Sequence, residues 1–315
     1  MPAQSMWMLF ASLMFSIMGV CVKLASGWYS ASEIVTFRGL FGAVAMASLI
    51  FLRGGSFRTR HPWGHLWRGA VGSTALWLWF YAIGKLPLAT AMTLNYMSPI
   101  WIAAIVFGLA WRRAQQRFEW GVAGAIIISF IGVVMLLRPS IHAEQWTGGM
   151  MAVASSFLSA LAYMQVRRLG QMGEADQLIV FYFSVTGMAT GLLGMFFDAA
   201  IAGPAASAPA ADPQVLPGLW LLLGVGLCAT IAQMAMTRAY RLGRVLLTAN
   251  LQYSGIVFAS IWGILLWDDL LPAISWAGMG IILLSGIAAT YYNARNTPPA
   301  RTPAAGAADP IAAEM

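Results

Sequence analysis

Ten runs of about 20 mostly apolar residues follow one another along the chain, each long enough to cross a bilayer core of ~30 Å as one helix. They cover roughly residues 6–24, 34–52, 66–83, 88–111, 118–137, 148–166, 178–197, 219–237, 245–267 and 273–292. Turn formers separate them, as in Arg53-Gly54-Gly55 and Arg138-Pro139-Ser140. The runs are continuous, whereas a β-barrel alternates in segments of about ten residues. The expected fold is therefore all-α integral membrane with ten transmembrane helices. Composition agrees. Of 315 residues, 60% are hydrophobic and 9% charged, too few charges to cover the surface of a soluble domain. A soluble enzyme, a disulfide scaffold and a disordered chain are excluded.

The basic residues orient the bundle. With a cytoplasmic N-terminus, that side holds Arg53, Arg58, Arg60, Arg68, Arg112, Arg113, Arg117, Arg167, Arg168, Arg238, Arg241, Arg244, Arg295 and Arg301. The other side holds Lys23, Lys85 and Arg138, and Arg38 lies inside the second run. This asymmetry places both termini in the cytoplasm of a bacterial inner membrane. The net charge of +7 is then a topology signal, and no nucleic-acid partner is expected. Nothing basic precedes Trp7, so the first run is expected to stay as a helix rather than be cleaved. Residues 293–315 read as a disordered cytoplasmic tail, and residues 199–217 as an external loop.

Sliding the chain along itself by 156 residues aligns Ser98–Ile131 with Ser254–Ile287 without a gap, giving eleven identities in thirty-four positions. Trp111 meets Trp267, Trp120 meets Trp276 and Ser129 meets Ser285. The match joins runs four and five to runs nine and ten, so the repeating unit has five helices. An odd count makes the second copy enter from the opposite side. Residues 1–140 and 141–292 thus form two inverted-topology five-helix repeats, an architecture used by many secondary transporters.

The stretches LPLATAMTLNYMSPIWIAAIVFGLAWRR, WGVAGAIIISFIGVVMLLRP and GRVLLTANLQYSGIVFASIWGILLWDDLLPAISWAGMGIILLSG resemble the EamA domain of the drug/metabolite transporter superfamily. So does the opening FSIMGVCVKLASGWYSASEIVTFRG. The resemblance covers residues 6–292. It implies a ten-helix metabolite transporter, usually an exporter of amino acids or related compounds. Such proteins typically end spans four and nine on Glu, where this chain has Trp111-Arg112 and Asp268-Asp269. Ser32-Glu33 to Arg38 and HLWRG at 65–69 are also similar to permeases for S-adenosylmethionine-like metabolites.

Inverted-repeat carriers bind substrate near the midplane, where helices are interrupted at corresponding positions. Pro99 aligns with Gly255, and Asn95, Tyr96, Ser98, Asn250, Gln252 and Tyr253 flank them. Pro99 removes an N–H and displaces the Asn95 carbonyl, leaving an acceptor for a ligand. The same residues also suit a plain kink with interhelical hydrogen bonds. Trp77, Tyr81, Trp101 and Tyr163 lie within spans, where they would either line a cavity or pack, and Gln233 completes the candidate cavity. Lys23, Glu33 and Arg38 group at the outer mouth, as a gate that meets a substrate carboxylate or as an ion pair joining two helices. No carboxylate lies mid-span, so Glu33 is the one candidate for ion coupling.

An intramembrane enzyme or a non-transporting scaffold is the other class. No H-E-x-x-H or phosphate-binding loop occurs, and His61, His65 and His142 fall in loops. No metal and no cofactor are expected. Cys21 and Cys228 read as packing residues. The expected partners are a small-molecule substrate and the lipid bilayer, with the protein a monomer or homodimer.

Overall fold

Each apolar run becomes helix, because a chain in hydrocarbon must satisfy its own backbone hydrogen bonds. The computed structural model describes residues 3–86, 88–113, 120–138, 146–202, 215–268 and 272–296. Among these residues there is no strand. The helices are α1 (Ala3–Ala25), α2 (Ala31–Leu52), α3 (Pro62–Lys85), α4 (Leu88–Asn95), α5 (Ser98–Arg113) and α6 (Trp120–Leu137). They continue with α7 (Trp146–Gln171), α8 (Asp176–Ala202), α9 (Val215–Leu242), α10 (Val245–Leu251), α11 (Ser254–Trp267) and α12 (Ala273–Asn296).

Nine stretches among the described residues are long and apolar enough to span a membrane, with α4–α5 and α10–α11 each making one. The remaining expected span is α3. At 24 residues it is long enough, but Gly, Ser, Thr and Trp dilute its hydropathy, and Arg68 and Lys85 add charge. It compensates by packing along α7 and α8.

Local chemistry sets the helix ends. Ser30 and Glu33 form a reciprocal capping box that starts α2, and Pro62 occupies the first turn of α3. Gly173, at φ +87°, makes the turn from α7 to α8 in a conformation that other residues adopt at a cost. Asp176 begins α8 and Arg241 lies in the last turn of α9; their side chains pair at 2.9 Å. Each charge also suits the helix end on which it sits.

The helices expose many large apolar side chains, as suits a lipid-facing surface, and place serines and glycines at several of their contacts. On α6, Ile126 is fully buried while Ile127, Ile128 and Ile131 are more than half exposed. Its buried Ser129 donates to Asn250 Oδ1 at 3.0 Å, and Ser285 on α12 donates to the Ala125 carbonyl at 2.7 Å. At the α6–α12 crossing a Cβ on Gly278 would meet the Gly132 carbonyl, and one on Gly132 would meet the Gly278 carbonyl. The two backbones touch there.

The most extensive packing joins α2 to α8, α1 to α9, α6 to α12 and α3 to α7. The largest buried cluster runs through Met8, Ile126, Met236, Tyr240, Leu247, Tyr253 and Ile256. It places α10 and the start of α11 at the heart of the bundle. All seven residues of α10 are buried.

Candidate functional site

Two interrupted helices face each other in that core. The pairs between their halves, Tyr96-Met97 and Gln252-Tyr253, are separated by the 156-residue offset of the repeat. Both breaks are tightened turns with i to i−3 bonding. In the first, the Met97 N–H donates to the Leu94 carbonyl at 3.2 Å. In the second, the Gln252 and Tyr253 amides donate to Ala249 and Asn250, each at 3.2 Å. Pro99 lies in the first turn of α5, where a missing N–H costs nothing. It therefore opens a second helix rather than bending a single one.

Four tyrosines and one glutamine gather at the second break. Gln252 Nε2 donates to the Tyr163 hydroxyl at 3.3 Å, and the Tyr240 hydroxyl donates to Gln252 Oε1 at 3.4 Å. The Tyr163 and Tyr240 rings stack at 5.6 Å and 13°. Tyr96 faces Tyr253 with ring centroids 6.3 Å apart, so the two breaks touch through aromatic rings. Asn250 and Tyr253 are fully or almost fully buried, and Asn250 Nδ2 and the Tyr253 hydroxyl have no hydrogen-bond partner.

The other candidates divide between packing and cavity. Asn95 Oδ1 accepts from Ser155 at 3.3 Å, joining α4 to α7. Ser98 is buried at the start of α5, and Trp101 donates to Ser156 at 2.9 Å. The Trp77 indole fills the space beside Gly194, between α3 and α8. Tyr81 lies on α3, with its side chain outside the described residues. Gln233 lines a cavity of about 20 Å³ with Val35, Arg38, Gly39, Phe183, Ser184, Gly187, Ala229 and Thr230.

The Lys23, Glu33 and Arg38 cluster does not form. Lys23 Nζ lies 3.8 Å from the centroid of the Trp267 ring. Glu33 accepts from the Ser30 amide at 2.7 Å within its own cap. Arg38 turns to the cavity, its Cζ 5.8 Å from the Phe183 ring. The cap holds Glu33 because Ser30 is only three residues away, closer in the chain than either cation.

Arg68 is a second correction. It reads as a loop charge on the cytoplasmic side, but it is 3% exposed within α3. Its guanidinium lies 3.9 Å from the same Phe183 ring. The position is within reach of sequence reading, since Arg68 falls two residues inside the run 66–83. Tyr240 lies beyond reach, because it sits past the end of the eighth apolar run on a helical extension. Phe183 carries no sequence signal that separates it from the chain's other phenylalanines.

His65 also leaves the loop expected for it. It is buried in the first turns of α3, with Nε2 3.4 Å from Glu174 Oε2 and its ring 4.6 Å from that of Tyr182. Glu174, in the α7–α8 turn, accepts from the Thr59 hydroxyl at 2.7 Å and the Arg60 amide at 3.2 Å. Burial pushes the Glu174 carboxyl up, but these donors and His65 outweigh it and leave the group below its usual range. Burial pushes His65 down, Glu174 opposes that, and nearby His61 adds to it. His142 lies outside the described residues.

The profile of the EamA-like transporter family matches residues 4–138. The pseudopaline exporter CntI of Pseudomonas aeruginosa (strain UCBPP-PA14) is 29% identical over 278 residues, covering 88% of this chain and 92% of that protein. An uncharacterized transporter of Helicobacter pylori (strain J99) is 27% identical over 282 residues, covering 89% and 91% respectively. A solved crystal structure shares the fold, with a TM-score of 0.75 at 17% identity over 93% of this chain and 98% of that one.

Proposed function

The chain belongs to the EamA-like transporter family of the drug/metabolite transporter superfamily, and from that premise we propose that it exports small metabolites, amino acids and related compounds, by alternating access. Two inverted halves, residues 1–140 and 141–292, would exchange conformations across a bacterial inner membrane with both termini cytoplasmic. The observation that carries this reading is the pair of helix breaks, spaced by the repeat offset and in contact through Tyr96 and Tyr253. The packing supports it too. Exchanging the halves turns the α1–α9 pair into α7–α3 and returns α2–α8 and α6–α12 to themselves.

A cavity of about 20 Å³ holds roughly one water. Substrate therefore enters only when helices part, and the α2–α8 seam is suited to that. A Cβ on Gly42 would meet the Ser184 hydroxyl, and one on Gly191 would meet the backbone of Thr36. Small residues allow close packing without interlocking side chains.

Proteoliposomes carrying the purified protein test the reading. Labelled amino acids and S-adenosylmethionine are expected to include a solute that crosses with saturable, counterflow-stimulated kinetics. Folded protein that moves no member of the panel overturns it. Cysteine labelling at residues 199–217, with Cys21 and Cys228 replaced, is expected from outside intact cells, and internal labelling overturns the orientation.

A further inference from the structure

We propose that Arg38 and Arg68 form one anion-binding site grouped on the Phe183 ring, and that the solute carried is an organic carboxylate. The proposal rests on the transport reading and gives that site a substrate class. Both guanidinium carbons lie within 6 Å of one ring centroid, at 3.9 and 5.8 Å. Their separation therefore cannot exceed the sum of those two distances.

Neither cation meets an acid among the described residues. The chain has no Asp or Glu between Glu33 and Glu119, so α2 and α3 supply none beyond the one held in the Ser30 cap. Glu174 and Asp176 are engaged by His65 and Arg241. Nε and Nη1 of Arg68 are buried with no hydrogen-bond partner. An aromatic face offsets only part of what a buried cation loses on leaving water. Arg38, half-buried and grouped on the same ring, repels Arg68, and a bound anion relieves both penalties.

The placement is built into α3. A Cβ on Gly72 would collide with Arg68 Nη1, so the helix clears the space in which the guanidinium lies. A long basic side chain near a helix end ordinarily snorkels toward water, and this one is held inside. Arginine's planar fork matches a carboxylate in two parallel hydrogen bonds. The wall of the cavity beside Arg38 is apolar, with Val35, Phe183 and Ala229, while Gln233 supplies an amide; Arg68 adjoins it across the shared Phe183 ring. That combination suits an amphipathic organic anion better than a bare inorganic one.

Thermal unfolding of the detergent-purified protein tests the site without vesicles. Succinate, citrate and L-glutamate are the probes, with succinamide and putrescine as neutral and cationic counterparts. At least one carboxylate is expected to raise the wild-type midpoint, with affinity lowered about tenfold or more in Arg38→Gln and Arg68→Gln. Arg68→Lys, which keeps the charge without the fork, is expected to fall between. It carries the test with Arg38→Gln if Arg68→Gln does not fold. No response to any carboxylate, or one that persists in both Gln variants, overturns the proposal. An equal response to chloride or phosphate also overturns it, leaving an inorganic anion site. Flux of a neutral solute without carboxylate binding sinks this inference alone, whereas carboxylate binding without flux in proteoliposomes sinks the transport reading and the carried solute with it, leaving only the anion site.

Discussion

Tyr163 of α7 lies stacked on Tyr240 of α9, and Gln252, at the break between α10 and α11, hydrogen-bonds both hydroxyls. One side chain thus ties two long helices to the interruption at the centre. Gln252→Leu removes both bonds while keeping the volume. The expected cost is about 1–3 kcal/mol, because each such bond contributes about 0.5–1.5 kcal/mol net. A lowered thermal midpoint together with slower flux in proteoliposomes is the outcome to look for. Wild-type values for both would show that Gln252 ties nothing together.

The glycines of the α6–α12 crossing separate sharply by position. Gly278→Ala drives a methyl into the Gly132 carbonyl and the Leu136 amide, both backbone atoms that cannot step aside. A loss of about 1–3 kcal/mol is expected, as for other overpacked cores. Gly124 and Gly280, matched by the repeat, have open space where a methyl would go, with nothing within 4 Å. Alanine there is expected to stabilise by about 0.4–1 kcal/mol, by restricting the unfolded chain. Thermal midpoints of the three single variants in one detergent settle the contrast.

Acid is expected to loosen the junction of the α2–α3 loop with the α7–α8 turn. His65 is held below its ordinary value of 6.5, so its contribution is full above that pH and is lost as pH falls through the folded value. Glu174 is held below its ordinary 4.5, so its share is present above that pH and is lost at lower pH still. The thermal midpoint should therefore fall between about pH 8 and about pH 5.5, chiefly through His65. His65→Gln should flatten that segment of the curve. A wild-type midpoint that rises on acidification would reverse the sign assigned to His65.

Gly72→Ala probes the placement of Arg68 without touching its charge. The new methyl meets the tip of the Arg68 side chain and Cε2 of the Phe183 ring, so the helix is expected to survive while the guanidinium shifts and the ring gives by a few tenths of an ångström. The prediction is weaker solute binding, read as a raised half-saturation concentration in the flux assay, with an unchanged circular dichroism spectrum. An unchanged half-saturation concentration would mean that Arg68 needs no fixed position.

Much of this architecture is legible in the sequence for a simple reason. Hydrocarbon demands about 20 apolar residues per crossing, and that demand is written along the chain without reference to neighbours. The 156-residue offset goes further and pairs Tyr96-Met97 with Gln252-Tyr253, where the helices do break. Lateral facts are harder to see. In a soluble helix an apolar stripe marks the buried side, but α6 is apolar almost all round, and only the small or polar Ala125, Ser129 and Gly132 mark the face on which Ile126 is buried while Ile127 is exposed. Arg68 is obscured by the neighbouring loop arginines, and α3 reads like the other spans although its hydropathy is lower. Glu33 looks like a partner for Arg38 because both stand near one helix end, yet a cap three residues away claims it first.

The meeting of Gly132 and Gly278 has a mechanical side. Side chains yield by changing rotamer, but a crossing made of main chain has nothing to yield. Sliding α6 along α12 would force carbonyl oxygens past each other, so this contact behaves as a fulcrum rather than a bearing. Residues 96–97 and 252–253 are the opposite case, since the regular helical ladder is already interrupted there. A load applied at one end of the bundle would turn about the rigid point and be spent as bending at these two joints.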